Sequence, residues 1–117
     1  MPVEQQNNNK HKKAVFFDID GTLINIMTGQ THITEPVKKA IHALRAAGNC
    51  TFIASGRPYV YLDPELTQEG LFDGYVLMNG AVVMLGDKVV YKQPLPKETV
   101  QEIARLSEQH DVEYILE

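Results

Sequence analysis

The sequence predicts an α/β fold built on a doubly wound parallel sheet, and three observations carry that expectation. Short, continuously apolar runs alternate with helix-period segments between residues 14 and 78. The connections between them are only a few residues long, which in this order gives right-handed crossovers. The first two apolar runs both end in small or acidic polar residues, Asp18 to Thr22 and Ser55 to Arg57, at what would be one edge of the sheet. The size suits a single domain: 117 residues, 44% of them hydrophobic and 22% charged, bury one core without a disulfide scaffold.

In chain order, residues 1–13 are polar and of low complexity, with Gln5, Gln6 and Asn7 to Asn9 leading into Lys10-His11-Lys12-Lys13. They read as a flexible lead-in whose lysines are a solvated flank rather than an anion-docking patch. Ala14-Val15-Phe16-Phe17-Asp18-Ile19 reads as a strand buried on both faces. Thr34 to Ala47 has the period of a helix, with Thr34 as N-cap, Pro36 in the first turn, a Val37, Ala40, Ile41 and Leu44 face, and Gly48 as a left-handed stop. Cys50 to Ala54 is a second strand and Ser55 to Pro58 its turn. Asp63 and Pro64 open a short helix that ends at Gly70, and Gly74 to Met78 is a third strand. Ala81 to Leu85 and Lys88 to Tyr91 flank Gly86-Asp87, a hairpin signal. After Pro94-Leu95-Pro96 comes an amphipathic helix with Val100, Ile103, Ala104 and Leu106, and then an apolar run from Val112 to Leu116.

Eleven basic against fifteen acidic residues give a formal net charge of -4, which argues against a nucleic-acid partner. No run is long and apolar enough for a membrane span or a signal-peptide core, so no membrane partner is expected. The single Cys50 has no intrachain disulfide partner and reads as a small buried hydrophobe, and the expected compartment is the cytoplasm. His11, His32, His42 and His110 have no metal-ligand spacing with one another or with Cys50. Tyr59, Tyr61 and Tyr75 read as aromatic packing rather than as a pocket lining.

The chemistry concentrates in Phe16-Phe17-Asp18-Ile19-Asp20-Gly21-Thr22-Leu23. Carboxylates two apart at the end of a strand project from one face. They repel, each raising the other's pKa, unless a cation lies between them, and a hard divalent ion with oxygen ligands such as Mg²⁺ fits that need. One carboxylate can then attack phosphorus while the other moves protons. An EF-hand loop starting at Asp18 is excluded, because its sixth and twelfth positions hold Leu23 and Gly29. An acidic solvent turn is the plainer alternative, common for a lone Asp-x-Asp. The second constellation is Ile53-Ala54-Ser55-Gly56-Arg57. Ser55 offers a hydroxyl, Gly56 permits close backbone approach, and the following N–H groups face an anion. Alone this is weak, since Ser and Gly are good turn residues.

On Phe17 to Leu23, Ala54-Ser55-Gly56-Arg57-Pro58 and Met78-Asn79-Gly80-Ala81 the sequence resembles the haloacid dehalogenase superfamily, and within it the Cof-type phosphatases, over Ala14 to Glu117. The resemblance implies a Rossmannoid core over 14–93 and the start of a substrate-selecting α/β cap over 94–117. It implies a Mg²⁺-dependent phosphomonoester hydrolase acting on a small phosphorylated metabolite such as a sugar phosphate. Asp18 would be the nucleophile that becomes an aspartyl-phosphate, and Asp20 the group that protonates the leaving oxygen and then activates water. The Asp18 carboxylate and the Asp20 backbone carbonyl would hold the metal. Ser55, with the backbone around Ile19 and Gly56, would hold the phosphoryl group, and Asn79-Gly80 resembles the family's turn beside the active site.

Family members continue further, with a lysine and an acidic Gly-Asp motif that complete the site. Gly86-Asp87 lacks the second acid, and Lys88, Lys92 and Lys97 read as surface lysines. The expectation is therefore a truncated phosphatase, inactive or weakly active, with weakened metal binding. Its first strand would be an unpaired apolar edge prone to self-association or partial disorder. Two rivals stand beside this reading. One is a non-catalytic phosphate-binding or assembly module; the other is a response-regulator-like phosphoacceptor, against which the Asp-Gly-Thr continuation argues.

Overall fold

A computed structural model of the chain describes residues 12–117, so most of the expected lead-in, up to His11, lies outside the described residues. Five strands form one sheet in the order β1-β2-β3-β4-β5: β1 Ala14–Phe17, β2 Cys50–Ala54, β3 Gly74–Leu77, β4 Val82–Leu85 and β5 Lys88–Lys92. β1 to β3 run parallel, with Val15 opposite Thr51 and Ile53 opposite Tyr75. β4 and β5 return antiparallel as the hairpin expected around Gly86-Asp87, with a register shift between Val83 and Met84. The helices are α1 Glu35–Ala46 between β1 and β2, the short α2 Pro64–Gln68 between β2 and β3, and α3 Lys97–Gln109 after the sheet. Among the described residues no helix is long and apolar enough to cross a membrane.

Each crossover starts and stops where local chemistry dictates. Thr34 precedes α1 with an extended backbone, although its hydroxyl makes no capping bond. Pro36 in the first turn needs no intrahelical donor partner. Gly48, at φ 93°, takes the left-handed turn that lets its N–H bond the Arg45 carbonyl at 2.9 Å. α1 and α2 lie together on one face of the sheet, tied by Lys38 to Glu65 at 3.4 Å and to Glu69 at 2.8 Å. Ile41 of α1 and Leu66 of α2 pack with Ile53, Tyr75, Leu77 and Met84 into the core. Val37 and Ala40, expected on that face, are exposed instead.

The opposite face of the sheet carries no helix among the described residues, and this corrects two expectations. β1 is covered on one side only: its burial alternates along the strand, and Phe16 is 55% exposed with its ring stacked on Phe52 at 5.1 Å. Cys50, opposite Ala14 in the same register, is likewise exposed rather than buried. β1 also ends the sheet, so its outer edge is unpaired among the described residues, as expected. The run from Val112 to Leu116 forms no helix or strand.

A polar staple fastens the other end of the crossovers. Arg45 of α1 pairs with Asp73 at 2.7 Å and donates to the Gly70 carbonyl. Asp73 accepts the Thr51 N–H at 2.8 Å, and the buried Thr51 hydroxyl donates to the Leu71 carbonyl at 2.6 Å. Burial pushes the Asp73 carboxyl up, but the Thr51 N–H and the Arg45 guanidinium outweigh it and hold the group below the usual carboxylate range. The Tyr75 hydroxyl donates to the Leu66 carbonyl at 2.8 Å while its ring meets Tyr59 edge-on at 6.2 Å, so these two pack as expected, whereas Tyr61 is half exposed and has no aromatic partner among the described residues.

Candidate active site

The chemistry-bearing residues meet at the carboxyl ends of β1, β2 and β3. After β1 the chain turns sharply around the Ile19 carbonyl, which accepts the N–H groups of Thr22, Leu23 and Ile24 at 3.0 to 3.2 Å. Gly21 closes this turn at φ 83°, a value its missing Cβ permits. Fully buried Ile19, with Leu23 and Ile24, anchors the turn in the core and leaves Asp18 and Asp20 on the surface. After β2 comes Ser55, 8% exposed, whose hydroxyl oxygen accepts the Arg57 N–H at 3.1 Å. That leaves the hydroxyl proton of Ser55 to donate outward.

A cleft of about 440 Å³ opens here, with Asp18, Ser55, Gly56, Asn79 and Gly80 around it and Ala54 and Val76 as its floor. Three of the five residues expected at the site, Asp18, Ser55 and Gly56, therefore line one cavity. Asp20 does not line it. Its carboxylate is drawn away by Arg57, whose Nε donates to Oδ2 at 2.9 Å and whose Nη2 donates to Oδ1 at 2.5 Å. A further Arg57 bond, Nη1 to the Tyr61 carbonyl at 3.1 Å, fixes the guanidinium. Ile19 is present through its backbone, but its N–H is taken by the Asp18 carboxylate at 2.8 Å.

The ion pair reverses one electrostatic expectation. Repulsion between neighbouring carboxylates would raise a pKa, whereas the hydrogen bonds and charge of Arg57 hold the Asp20 carboxyl below its usual range, against a smaller opposing effect of burial. The same contact raises Arg57. Sequence spacing could not show that residue 57 reaches across to residue 20.

Asn79 and Gly80, which the resemblance sets beside the active site, do line the cleft, although no role for the Asn79 side chain was assigned from sequence. Its signal was the Asn-Gly pair, which marks a tight turn. Met78, Asn79 and Gly80 take φ of 54°, 55° and 98°, three left-handed residues in succession. The Asn79 N–H bonds the Ser55 carbonyl and the Met78 N–H the Arg57 carbonyl, both at 3.3 Å, so this turn is stitched to the one after β2. Beyond it, Met78 also borders a larger apolar hollow of about 600 Å³ between the hairpin, Val100 and Ile103 of α3, and the tail at Tyr114 to Leu116.

The oxygen donors fit a hard cation only in part. No group of three or more His, Cys, Asp or Glu side chains among the described residues could hold a metal. The Asp18 carboxylate is exposed, and the Asp20 carbonyl accepts no backbone hydrogen bond among the described residues, so both are open to an ion that keeps most of its waters. The Asp20 side chain, engaged twice by Arg57, is not.

A model of the haloacid dehalogenase-like hydrolases matches residues 15–117. The chain belongs to this family. A Bacillus subtilis (strain 168) relative carrying the name "Putative phosphatase YkrA" is 32% identical over 107 residues, 90% of this chain and 40% of that protein. Among solved structures, the "HAD Subclass IIB Sugar Phosphatase BT4131" superposes with a TM-score of 0.71 at 42% identity, over 84% of this chain and 38% of that one. BT1666 from Bacteroides thetaiotaomicron, described among phosphatases of the same superfamily, superposes with a TM-score of 0.70 at 27% identity, over 86% and 37%. The chain thus spans about 40% of the length of YkrA and 38% of BT4131. The expected haloacid dehalogenase-like, Rossmannoid fold holds, present here as a mixed sheet with its crossover helices on one face.

Proposed function

We propose that this chain carries the nucleophile and phosphate-binding half of a phosphomonoester hydrolase site. The observation that carries the reading is the single cleft in which Asp18, Ser55 and Gly56 converge at the sheet's carboxyl edge. A phosphoryl group in that cleft would receive the Ser55 hydroxyl proton as a hydrogen bond, with the Gly56 backbone close beside it. Attack by an Asp18 carboxylate oxygen on phosphorus breaks the bond to the leaving oxygen and gives an aspartyl-phosphate; Asp20 supplies the proton that the leaving oxygen takes up. In the second half Asp20 accepts a proton from water, the water oxygen bonds phosphorus, and Asp18 is released with free phosphate. Arg57 has opposite consequences for the two halves. By keeping Asp20 ionised it suits the second, while the first requires the pair to open so that Asp20 can hold a proton. The Asp18 carboxylate and the Asp20 carbonyl would hold Mg²⁺, which supplies charge neutralisation that lets an anionic nucleophile approach a phosphate.

Small phosphorylated metabolites such as sugar phosphates are the proposed substrates. The likeness to BT4131 supports this, as does the apolar hollow beside Met78, where 94–117 would begin a cap that contacts the leaving group. The test is Mg²⁺-dependent hydrolysis of a generic aryl phosphate by the chain, with Asp18→Asn as control. Turnover that vanishes in the control is the expected sign of the Asp18 route. Turnover that persists in Asp18→Asn would overturn the assignment, phosphate binding without turnover fits either a half-site or the non-catalytic module, and the absence of both turnover and phosphate binding would refute the site reading.

A further inference from the structure

We infer that Asn79 is a phosphoryl-oxygen ligand, its carboxamide N–H donating to the anion held between Asp18 and Ser55. The inference rests on the phosphate-site reading above and adds to it a group from the third parallel strand.

The backbone places this side chain at a cost. A non-glycine residue in the left-handed region is disfavoured by roughly 1–2 kcal/mol, least for Asn, and here Met78 shares the same conformation immediately before it. Such strain persists only where the surroundings enforce it. The enforcing contacts are the two N–H bonds to the Ser55 and Arg57 carbonyls, so the position of Asn79 is set by the very turn that presents Ser55.

The side chain then lies directly over Gly56. A Cβ built on Gly56 would stand 3.1 Å from Asn79 Oδ1, 3.5 Å from Nδ2 and 3.6 Å from Cγ. The absent side chain of Gly56 is therefore what gives the carboxamide room at the cleft. The side chain is exposed, and among the described residues the carboxamide makes no hydrogen bond of its own, so its N–H groups are free to meet a ligand. Among the described residues no lysine or arginine lines the cleft, so an anion there meets neutral donors first: the Ser55 hydroxyl, nearby backbone N–H groups and the Asn79 amide. An amide fits this place where an aspartate of the same shape would repel the ligand.

The test is a titration of the chain with inorganic phosphate in the presence of Mg²⁺, read by calorimetry, for the parent, Asn79→Gly, Asn79→Asp and Ser55→Ala. Glycine accepts the left-handed turn without strain, so Asn79→Gly removes the amide and keeps the backbone. The expected result is binding about tenfold weaker in Asn79→Gly, weaker still in Asn79→Asp, with the urea midpoint of Asn79→Gly no lower than the parent's. A purely structural role would instead lower the midpoint and leave phosphate affinity within twofold. If Ser55→Ala weakens binding while both Asn79 variants match the parent, Asn79 is not a ligand and the phosphate site stands. If the parent binds no phosphate, or Ser55→Ala leaves its affinity unchanged, the site reading and this inference fall together.

Discussion

Replacing Arg57 by Gln tests whether the Arg57–Asp20 ion pair has the energetic meaning its geometry implies. The pair is two-pronged, at 2.9 and 2.5 Å, but its side chains are 22% and 52% exposed, so solvent screens much of the Coulomb attraction. A well-formed exposed pair of this kind stabilises by about 0.5–1 kcal/mol. The Asp20 carboxyl is held below its unfolded value. Its contribution is therefore fully present above about pH 4 and is lost as pH falls through the depressed folded value. Urea unfolding of the parent, Arg57→Gln, Asp20→Asn and the double variant gives the coupling between the two side chains directly. It should be about 0.5–1 kcal/mol near neutrality, shrink in high salt, and vanish in acid where Asp20 is protonated in both states. If Arg57→Gln costs as much with Asn at position 20 as with Asp, the loss comes from the bond to the Tyr61 carbonyl and the electrostatic account of Asp20 fails.

Gly74→Ala should destabilise the sheet by about 1–3 kcal/mol, because the new Cβ would meet the Met84 carbonyl at 2.4 Å and the Phe52 ring at 3.0 Å; chemical denaturation reads this, and an unchanged midpoint would contradict the close β3–β4 approach. Asp73→Ala removes the acceptor of the Thr51 N–H and the partner of Arg45 together, and a loss of about 2 kcal/mol in the same assay is expected. We propose that the exposed β1 edge and the adjoining Phe16 and Phe52 face drive self-association, so sedimentation over a dilution series should show oligomers that Phe16→Glu shifts towards monomer. A parent that is monomeric at every concentration would reject this.

The elements nearest the site were the most legible in the sequence. Phe17-Asp18 and Ala54-Ser55 each put a polar residue directly after an apolar strand run, and Gly86-Asp87 marks a hairpin by turn chemistry alone, so local pattern and final structure agree. What local pattern does not encode is which side of a strand is covered. The apolar β1 run implied two buried faces, yet both helices pack on one, which leaves Phe16 and Cys50 exposed. Within the site, Asp18, Ser55 and Gly56 were legible because strand ends of a parallel sheet share an edge. The redirection of Asp20 was not, since it depends on a long side chain 37 residues away. Asn79 fell between the two: the resemblance set its Asn-Gly turn beside the active site, but the approach to Gly56 exists only once β2 and β3 are paired.

The stitch between the Ser55 and Met78 turns has a consequence for how the chain folds. Those carbonyl and N–H partners come together only when β2 and β3 are in register, so the cleft between them does not exist in the unfolded chain. A ligand that binds only the folded form adds RT ln(1 + [L]/Kd) to its stability, about 1.4 kcal/mol at ten times Kd. On the proposed phosphate-site reading, phosphate would act as a folding effector for this half of the sheet: its concentration should set how often β2 and β3 part, and slowed amide exchange at Ser55 and Val76 on adding phosphate would report the anion and the strand pairing as one cooperative unit.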